Sequence, residues 1–432
     1  MLLLGSTWLT AQDLGNSPYS RIGLGDLLTP AFVHQEGMGG TGVSYSLPFY
    51  INNINPALLT LNRRTVLDVG LIGQIKISSD RTSTQRDIGG SLGHLALAFP
   101  VSKRISTSLG IAPYSSVSFE NQVTQNVVNS DFTSNVTFRG SGGLSYLFVA
   151  TGVELLGGRS LRPDTLNTRL SLGLKVNYFF GSTIDETISQ LNSSTQDLSY
   201  NVNFYQRDRY NGFIFEPGIS FTQRLGKKYK FHLGGAYLVG QNLKAERFTS
   251  INRSFSDPSP DNSDNVDTLA SDIERKVQMP SRLTLGLSLE KLDERSTFAK
   301  WVVSAEVSLQ DWSELVLFDQ NQNLDRRLVA SVGAQFIPDF TAIRPGFWRR
   351  TIYRVGARYI QTPISLNGEQ VDDLSVSLGF SVPFGRSSTS LNLSLVGGQR
   401  GTISDALIQE RYLQVFFGIT INDNWFVKPK YD

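Results

Sequence analysis

The chain has no cysteine in its 432 residues, which excludes disulfide staples and thiolate metal sites. Charge is scarce as well. Asp, Glu, Lys and Arg make up 18% of the sequence, below the roughly 25% usual for soluble domains. The net charge is +2 with both signs interspersed, so nucleic-acid binding has no electrostatic footprint. The three histidines, His34, His94 and His232, stand far apart and without metal-ligand spacing. Long apolar runs are also missing: no stretch approaches the roughly 20 residues that a membrane helix requires. Hydrophobic residues are nonetheless 40% of the chain, with 39 glycines and 26 phenylalanines.

That apolar content is spent on alternation. Across 372–384, Leu374, Val376, Leu378, Phe380, Val382 and Phe384 share one face, and Ser375, Ser377, Gly379 and Ser381 share the other. A period of two over a dozen residues specifies a strand, longer than the usual globular strand. Such a strand, tilted by about 45°, crosses a bilayer with apolar side chains toward lipid and polar ones toward a lumen. The pattern recurs in Leu413 to Ile421, Leu391 to Leu395, Tyr353 to Tyr359, Trp301 to Leu309, Leu283 to Leu289 and Leu170 to Tyr178.

With weaker segments included, strands are expected near 64–78, 90–101, 103–119, 137–155, 169–187, 209–224, 229–247, 281–291, 299–312, 326–337, 351–362, 372–384, 389–400 and 411–422. Fourteen is an even number, as an all-β transmembrane antiparallel barrel of the bacterial outer membrane requires, with both chain ends in the periplasm. Short connections at 100–103, 225–228 and 383–388 are assigned to the periplasm. The polar stretches 120–136, 188–208 and 248–280 are assigned to extracellular loops, with 256–267 as an exposed acidic tip. Aromatics expected at the lipid boundaries are Phe99, Tyr178 to Phe180, Phe221, Trp301, Trp312, Trp348, Phe384, Trp425 and Phe426.

Ahead of the barrel, residues 1–11 resemble the end of a secretory signal, with an ordinary buried strand as the alternative. Residues 12–63 do not alternate. They are too rich in glycine for a helix and too apolar for disorder, carrying Ile22, Leu24, Phe32, Met38, Phe49 and Ile51. An irregular backbone of this kind fits inside a barrel among polar groups, so 12–63 is read as a plug, with a periplasmic docking tail as the alternative. The barrel is placed at 64–426 and a periplasmic tail at 427–432.

Several motifs occur in order: Gly37-Met38-Gly39-Gly40-Thr41-Gly42, then Asn55-Pro56-Ala57, then Leu109 to Tyr114 with its Pro113-Tyr114 pair. Further on come Met279-Pro280-Ser281 through Gly286, Asp311-Trp312-Ser313, Tyr353 to Tyr359, and the closing Trp425 to Tyr431. In order and spacing they resemble the FadL/TodX family of outer-membrane transporters, and within it the Bacteroidetes branch with its PorV-like proteins. The resemblance implies a fourteen-strand barrel, an N-terminal hatch at Asn55, Pro56 and Ala57, and a lateral gap where the third strand kinks at Pro113 and Tyr114. It also implies passive uptake of hydrophobic small molecules such as long-chain fatty acids, without a cofactor or enzymatic step. The partners expected are outer-membrane lipid and a hydrophobic ligand. The rival function is a non-enzymatic PorV-like subunit of type IX protein secretion, bound to a protein partner.

Arg354 and Arg358 share one face of a strand about 13 Å apart at a rise of about 3.3 Å per residue. A guanidinium can hold a fatty-acid carboxylate bidentately. The competing reading pairs these arginines with lumen acids, for which Asp68, Glu216, Glu290 and Glu306 are available, or with plug carbonyls. His94 and His232 fall on inward faces, where a serine–histidine hydrolase would need them.

Overall fold

The computed structural model describes residues 14–127, 133–157, 168–192, 201–254, 265–293, 299–339, 347–384, 389–404 and 407–423. The expected signal remnant, the tail, Trp425, Phe426 and most of the acidic tip lie outside the described residues.

One sheet of eighteen strand pieces runs around the molecule. The piece Asp26–Leu27 belongs to the N-terminal segment, and three wall strands are each broken in two, which leaves fourteen wall strands. In chain order these are strands 1 (Thr65–Ser79), 2 (Thr84–Pro100), 3 (Ile105–Pro113 and Ser115–Asn126), 4 (Thr133–Leu156), 5 (Thr168–Asn192) and 6 (Asn201–Leu225). Strands 7 (Tyr229–Leu238 and Gln241–Ser254), 8 (Asn265–Met279 and Arg282–Leu292), 9 (Ala299–Asp311) and 10 (Arg326–Phe336) follow. Strands 11 (Ile352–Leu366), 12 (Glu369–Pro383), 13 (Ser390–Arg400) and 14 (Gln409–Asp423) complete the wall. All neighbours pair antiparallel, and strand 14 returns to strand 1 from Thr65↔Asp423 to Ser79↔Gln409, so the barrel is closed. Closure removes the free edges that an open sheet would expose to lipid.

The alternation reports the two faces correctly. Leu374, Val376 and Leu378 are 61%, 63% and 51% exposed, while the intervening Ser375 and Ser377 are buried. Every wall strand carries outward apolar side chains, from Leu71 in strand 1 to Ile421 in strand 14. Leaving each of these side chains in water would forgo roughly 1.5–3 kcal/mol, so the band requires a lipid environment. No helix among the described residues is long and apolar enough to cross a membrane; the strands do the crossing.

Three expectations need correction. The stretches assigned to extracellular loops are largely strand: strands 4, 5 and 6 run for 24, 25 and 25 residues, against roughly 9–11 needed to span the bilayer. Strands 7 and 8 likewise continue pairing through Arg253↔Asn265. Above the lipid neither face needs to be apolar, so the ladder persists after the hydrophobic period has stopped. The second correction concerns the aromatic boundary. Trp312 and Phe179 are fully buried and point inward, whereas Trp348 and Phe384 are exposed. Trp312 sits in the turn where Asp311 Oδ1 accepts from both the backbone N–H (3.1 Å) and the hydroxyl (2.7 Å) of Ser313. Third, the lumen is not uniformly polar: Tyr114, Leu144, Tyr146, Phe179, Tyr210, Ile214, Leu238 and Leu243 form an apolar core within it.

Candidate functional site: the lumen segment and the passage at strand 3

Residues 14–63 lie against the inner face of the wall, and the closest approaches are made on wall glycines. A Cβ built on Gly379 would stand 2.8 Å from Gly37 Cα, and one on Gly286 would stand 2.6 Å from Val43 Cγ1. On Gly356 it would overlap the Gly39 amide, and on Gly173 that of Ala57. These positions were read from sequence only as small residues on the lumen face. They are notches into which the segment's backbone fits.

Hydrogen bonds fix the same segment. Asn55 accepts from Ala57 N (3.0 Å), capping the short 3-10 helix Pro56–Leu61. Its amide donates to Val43 O (2.6 Å) and to Ile219 O of wall strand 6 (2.9 Å). Asn52 accepts from the backbone of Ile54 (3.0 Å) and Asn55 (2.8 Å), and Asn53 donates to the Tyr146 hydroxyl (2.8 Å). The asparagine run is therefore a buried knot. Replacing Asn55 by leucine should remove the cap and take the amide donor from the buried Val43 carbonyl, at about 1–3 kcal/mol. A denaturant midpoint of the refolded barrel in detergent would read that loss.

Charge inside the wall is paired in a way the sequence could not specify. Glu216 meets Lys175 Nζ (2.5 Å) and Arg282 Nη2 (3.0 Å), and Lys175 also donates to Asn53 O (2.7 Å). Glu290 takes His232 and Lys230, and Asp68 takes His94 at 2.8 Å. Glu306 accepts from the backbone N–H groups of Gly42 (2.9 Å) and Val43 (2.8 Å). None of the four wall acids considered as partners for the arginines takes that role. Arg358 pairs with Glu36 of the lumen segment (3.1 Å), while Arg354 bonds Gln335 and Ser381. Glu36 escaped notice because no periodicity marks a single acid on an irregular segment.

Neither wall histidine meets a serine among the described residues. His94 is stacked on Phe32 at 3.7 Å, and His232 takes Thr222 Oγ1 (2.9 Å) with its other nitrogen.

At Pro113 the wall changes partners. Strand 2 pairs with strand 3 only from Leu95↔Ile111 to Pro100↔Ser106. Beyond Pro113, Ser115–Asn126 pairs with strand 4 on one side. On its other side it meets Asp26–Leu27 of the lumen segment. Proline lacks the N–H that would continue the ladder, and Tyr114 turns into the interior against Phe179 (4.9 Å). Between strand 2 and the upper half of strand 3 lies a cavity of about 50 Å³ bordered by Ser91, Leu92, Pro113 and Ser116. A second, of about 120 Å³, lies in the lumen, lined by Val33, Ile72, Phe416, Arg358, Asp373 and Arg400 among others. Leu14, Leu28, Pro113 and Ser116 border both. The start of the described chain occupies the seam: Ser17 N donates to Ser118 O (2.8 Å), Asn16 Nδ2 to Glu120 O (2.9 Å), and Gln74 Nε2 to Leu14 O (2.6 Å).

A closed fourteen-strand antiparallel wall with an outward lipid band is a membrane-spanning β-barrel, a fold it shares with the toluene transporters TodX and TbuX. The chain matches the BamG family along its length, residues 1–432, and belongs to that family.

Among solved structures it is similar to the Pseudomonas putida toluene transporter TodX (TM-score 0.56, 16% identity), with 93% of this chain and 100% of that one covered. It is also similar to the Ralstonia pickettii toluene transporter TbuX (TM-score 0.53, 15% identity, 91% and 99% covered). A Pseudomonas aeruginosa FadL homologue superposes with TM-score 0.51 at 11% identity, with 91% and 98% covered. No curated protein matches the chain by sequence.

Proposed function

We propose that this barrel is a passive, non-enzymatic conduit that passes small hydrophobic molecules sideways through the seam at Pro113. The observation that carries the reading is the pair of neighbouring cavities that share Leu14, Leu28, Pro113 and Ser116 as their border. An apolar ligand gains by leaving water at about 25 cal/mol per Å² of buried surface and needs no chemical step. The lumen cavity, about 120 Å³, compares with the roughly 150 Å³ engineered cavity known to hold benzene. A ligand of monoaromatic size fits it, and an extended fatty acid requires the lumen segment to shift. In this mechanism residues 14–28 are the moving stopper, and Asn55, Pro56 and Ala57 anchor the rest of the hatch to strand 6. Arg358 borders the cavity and its Nε has no hydrogen-bond partner, so it is the residue to meet a ligand carboxylate.

Filling the seam tests the reading. Ser116→Trp should lower toluene entry into cells by at least about tenfold, which corresponds to a barrier of about 1.4 kcal/mol, while the folded barrel persists on unheated gels. Entry no faster through wild type than through cells lacking the barrel would end it.

A second reading is favoured by two features that conduction does not require. Strands 4 to 8 rise well above the lipid band, with charged Arg209, Lys244, Glu246, Glu274 and Arg275 on that extension. The lumen cavity is also bordered by Lys76, Asp26, Arg400 and Glu410, an ion-paired cluster ill suited to apolar cargo. Both fit a subunit that docks a protein partner, as in the secretion role expected as the rival. Purification from native membranes with a stoichiometric partner and no extractable ligand would favour this reading over conduction.

A further inference from the structure

A third, smaller space lies where the helical turn Val33–Glu36 meets wall strands 10 and 11, apart from the two cavities at the seam. It is bordered by His34, Gln35, Gln335 and Arg354, each at least nine-tenths buried. Four nitrogens of these residues make no hydrogen bond of normal geometry, His34 Nδ1, Gln35 Nε2, Gln335 Nε2 and Arg354 Nη2, with the Tyr45 hydroxyl near Gln335 and the Tyr50 hydroxyl near Arg354.

The two amides are oriented by their other ends. Gln35 Oε1 accepts from Phe32 N at 2.9 Å, which makes its free atom the NH2 group. Gln335 Oε1 accepts from Arg354 Nε at 3.0 Å, which does the same for Gln335. Arg354 spends Nη1 on Ser381 Oγ, at 2.5 Å, and lies over the Tyr50 ring at 5.4 Å. No carboxylate among the described residues forms an ion pair with it. A buried guanidinium without a counter-charge costs several kcal/mol, of which a ring face returns only about 0.5–2.

We propose that this space binds a single halide ion, chloride under physiological conditions, held by Arg354, Gln335 and Gln35. Three side chains present hydrogens and one brings a full positive charge. His34 adds a fourth hydrogen when Nδ1 carries its proton. A water could accept only two of these bonds and would bring no counter-charge to the guanidinium. A halide accepts all of them and neutralises the charge. Size selects within the anions: about 20 Å³ holds one water-sized particle and excludes sulfate, phosphate or a fatty-acid head group. Because the donors come from both the lumen segment and the wall, the ion pins one to the other. The inference does not depend on what the seam conducts.

Crystals grown in bromide should show one anomalous peak within hydrogen-bonding reach of Arg354 Nη2, Gln335 Nε2 and Gln35 Nε2. In detergent, replacing gluconate by chloride at fixed ionic strength should raise the unfolding midpoint of the wild type by about 2–4 °C. Gln335→Glu supplies a tethered anion, so that variant should lose the chloride dependence while remaining folded. Arg354→Met should lose the bromide peak. If Arg354→Met fails to fold, the Gln335→Glu comparison still decides. An unchanged wild-type midpoint together with an absent bromide peak would overturn the proposal, as would equal chloride dependence in wild type and Gln335→Glu.

Discussion

Replacing Gly234 and Gly356 together by valine is expected to lever the lumen segment off the wall while leaving the barrel closed. A Cβ on Gly234 would overlap the Val43 carbonyl and stand 2.6 Å from Ser44 Cα, and one on Gly356 would stand 2.8 Å from Gly39 Cα. Both obstacles are backbone, which cannot rotate aside as a side chain can. Overpacking of this kind costs about 1–3 kcal/mol per site, and well-separated sites add. The wall ladders do not pass through these contacts, so the barrel should keep its heat-modifiable gel shift. Chymotrypsin should then reach Phe32, Phe49 and Tyr50, all buried in the wild type, and current through the barrel in planar bilayers should rise. Gly397 provides the control: nothing lies within 4 Å of its added Cβ, so Gly397→Val should change stability by less than about 0.5 kcal/mol. Wild-type protease protection in the double variant would show that the segment is not held by these notches.

The second large effect is expected at Glu216. Its carboxylate lies between Lys175 and Arg282, all three buried. Glu216→Gln leaves two cations in the wall with no acid between them, and the loss should be about 3–5 kcal/mol. Lys175→Met keeps the Glu216–Arg282 pair and removes the excess charge, so it should cost markedly less despite losing the bond to Asn53 O. Urea midpoints for refolding into detergent would rank the variants, and equal losses from both would mean that charge balance is not what the triad provides. The reason to expect the order is electrostatic. A low-dielectric surrounding penalises uncompensated charge far more than a missing hydrogen bond.

How far the sequence reached differs between the parts of this molecule. Leu374 to Phe384 could be assigned to a lipid-facing row because one physical condition, oil outside and polar groups within, applies to every second residue. The same condition ends at the membrane surface. That is why the upper parts of strands 4 to 8 were taken for loops, and why Trp312 and Phe179 were placed on the wrong side. Pro113 was legible as a break because a missing N–H is a property of the residue itself. The Gly286, Gly356 and Gly379 notches were not, since a small residue on a lumen face looks the same whether it meets water or backbone.

Period, glycine content and the absence of a spanning helix are set by the chain alone, and they suffice for a closed membrane barrel because each depends only on neighbours along the strand. Which acid neutralises which base was decided by the fold. Glu36 reaches Arg358 from 322 positions away, and Glu306 receives the amides of Gly42 and Val43. Pairings of that kind arise only when an irregular segment is folded into a wall already closed around it. Packing in three dimensions, with no repeat along the sequence, selects them.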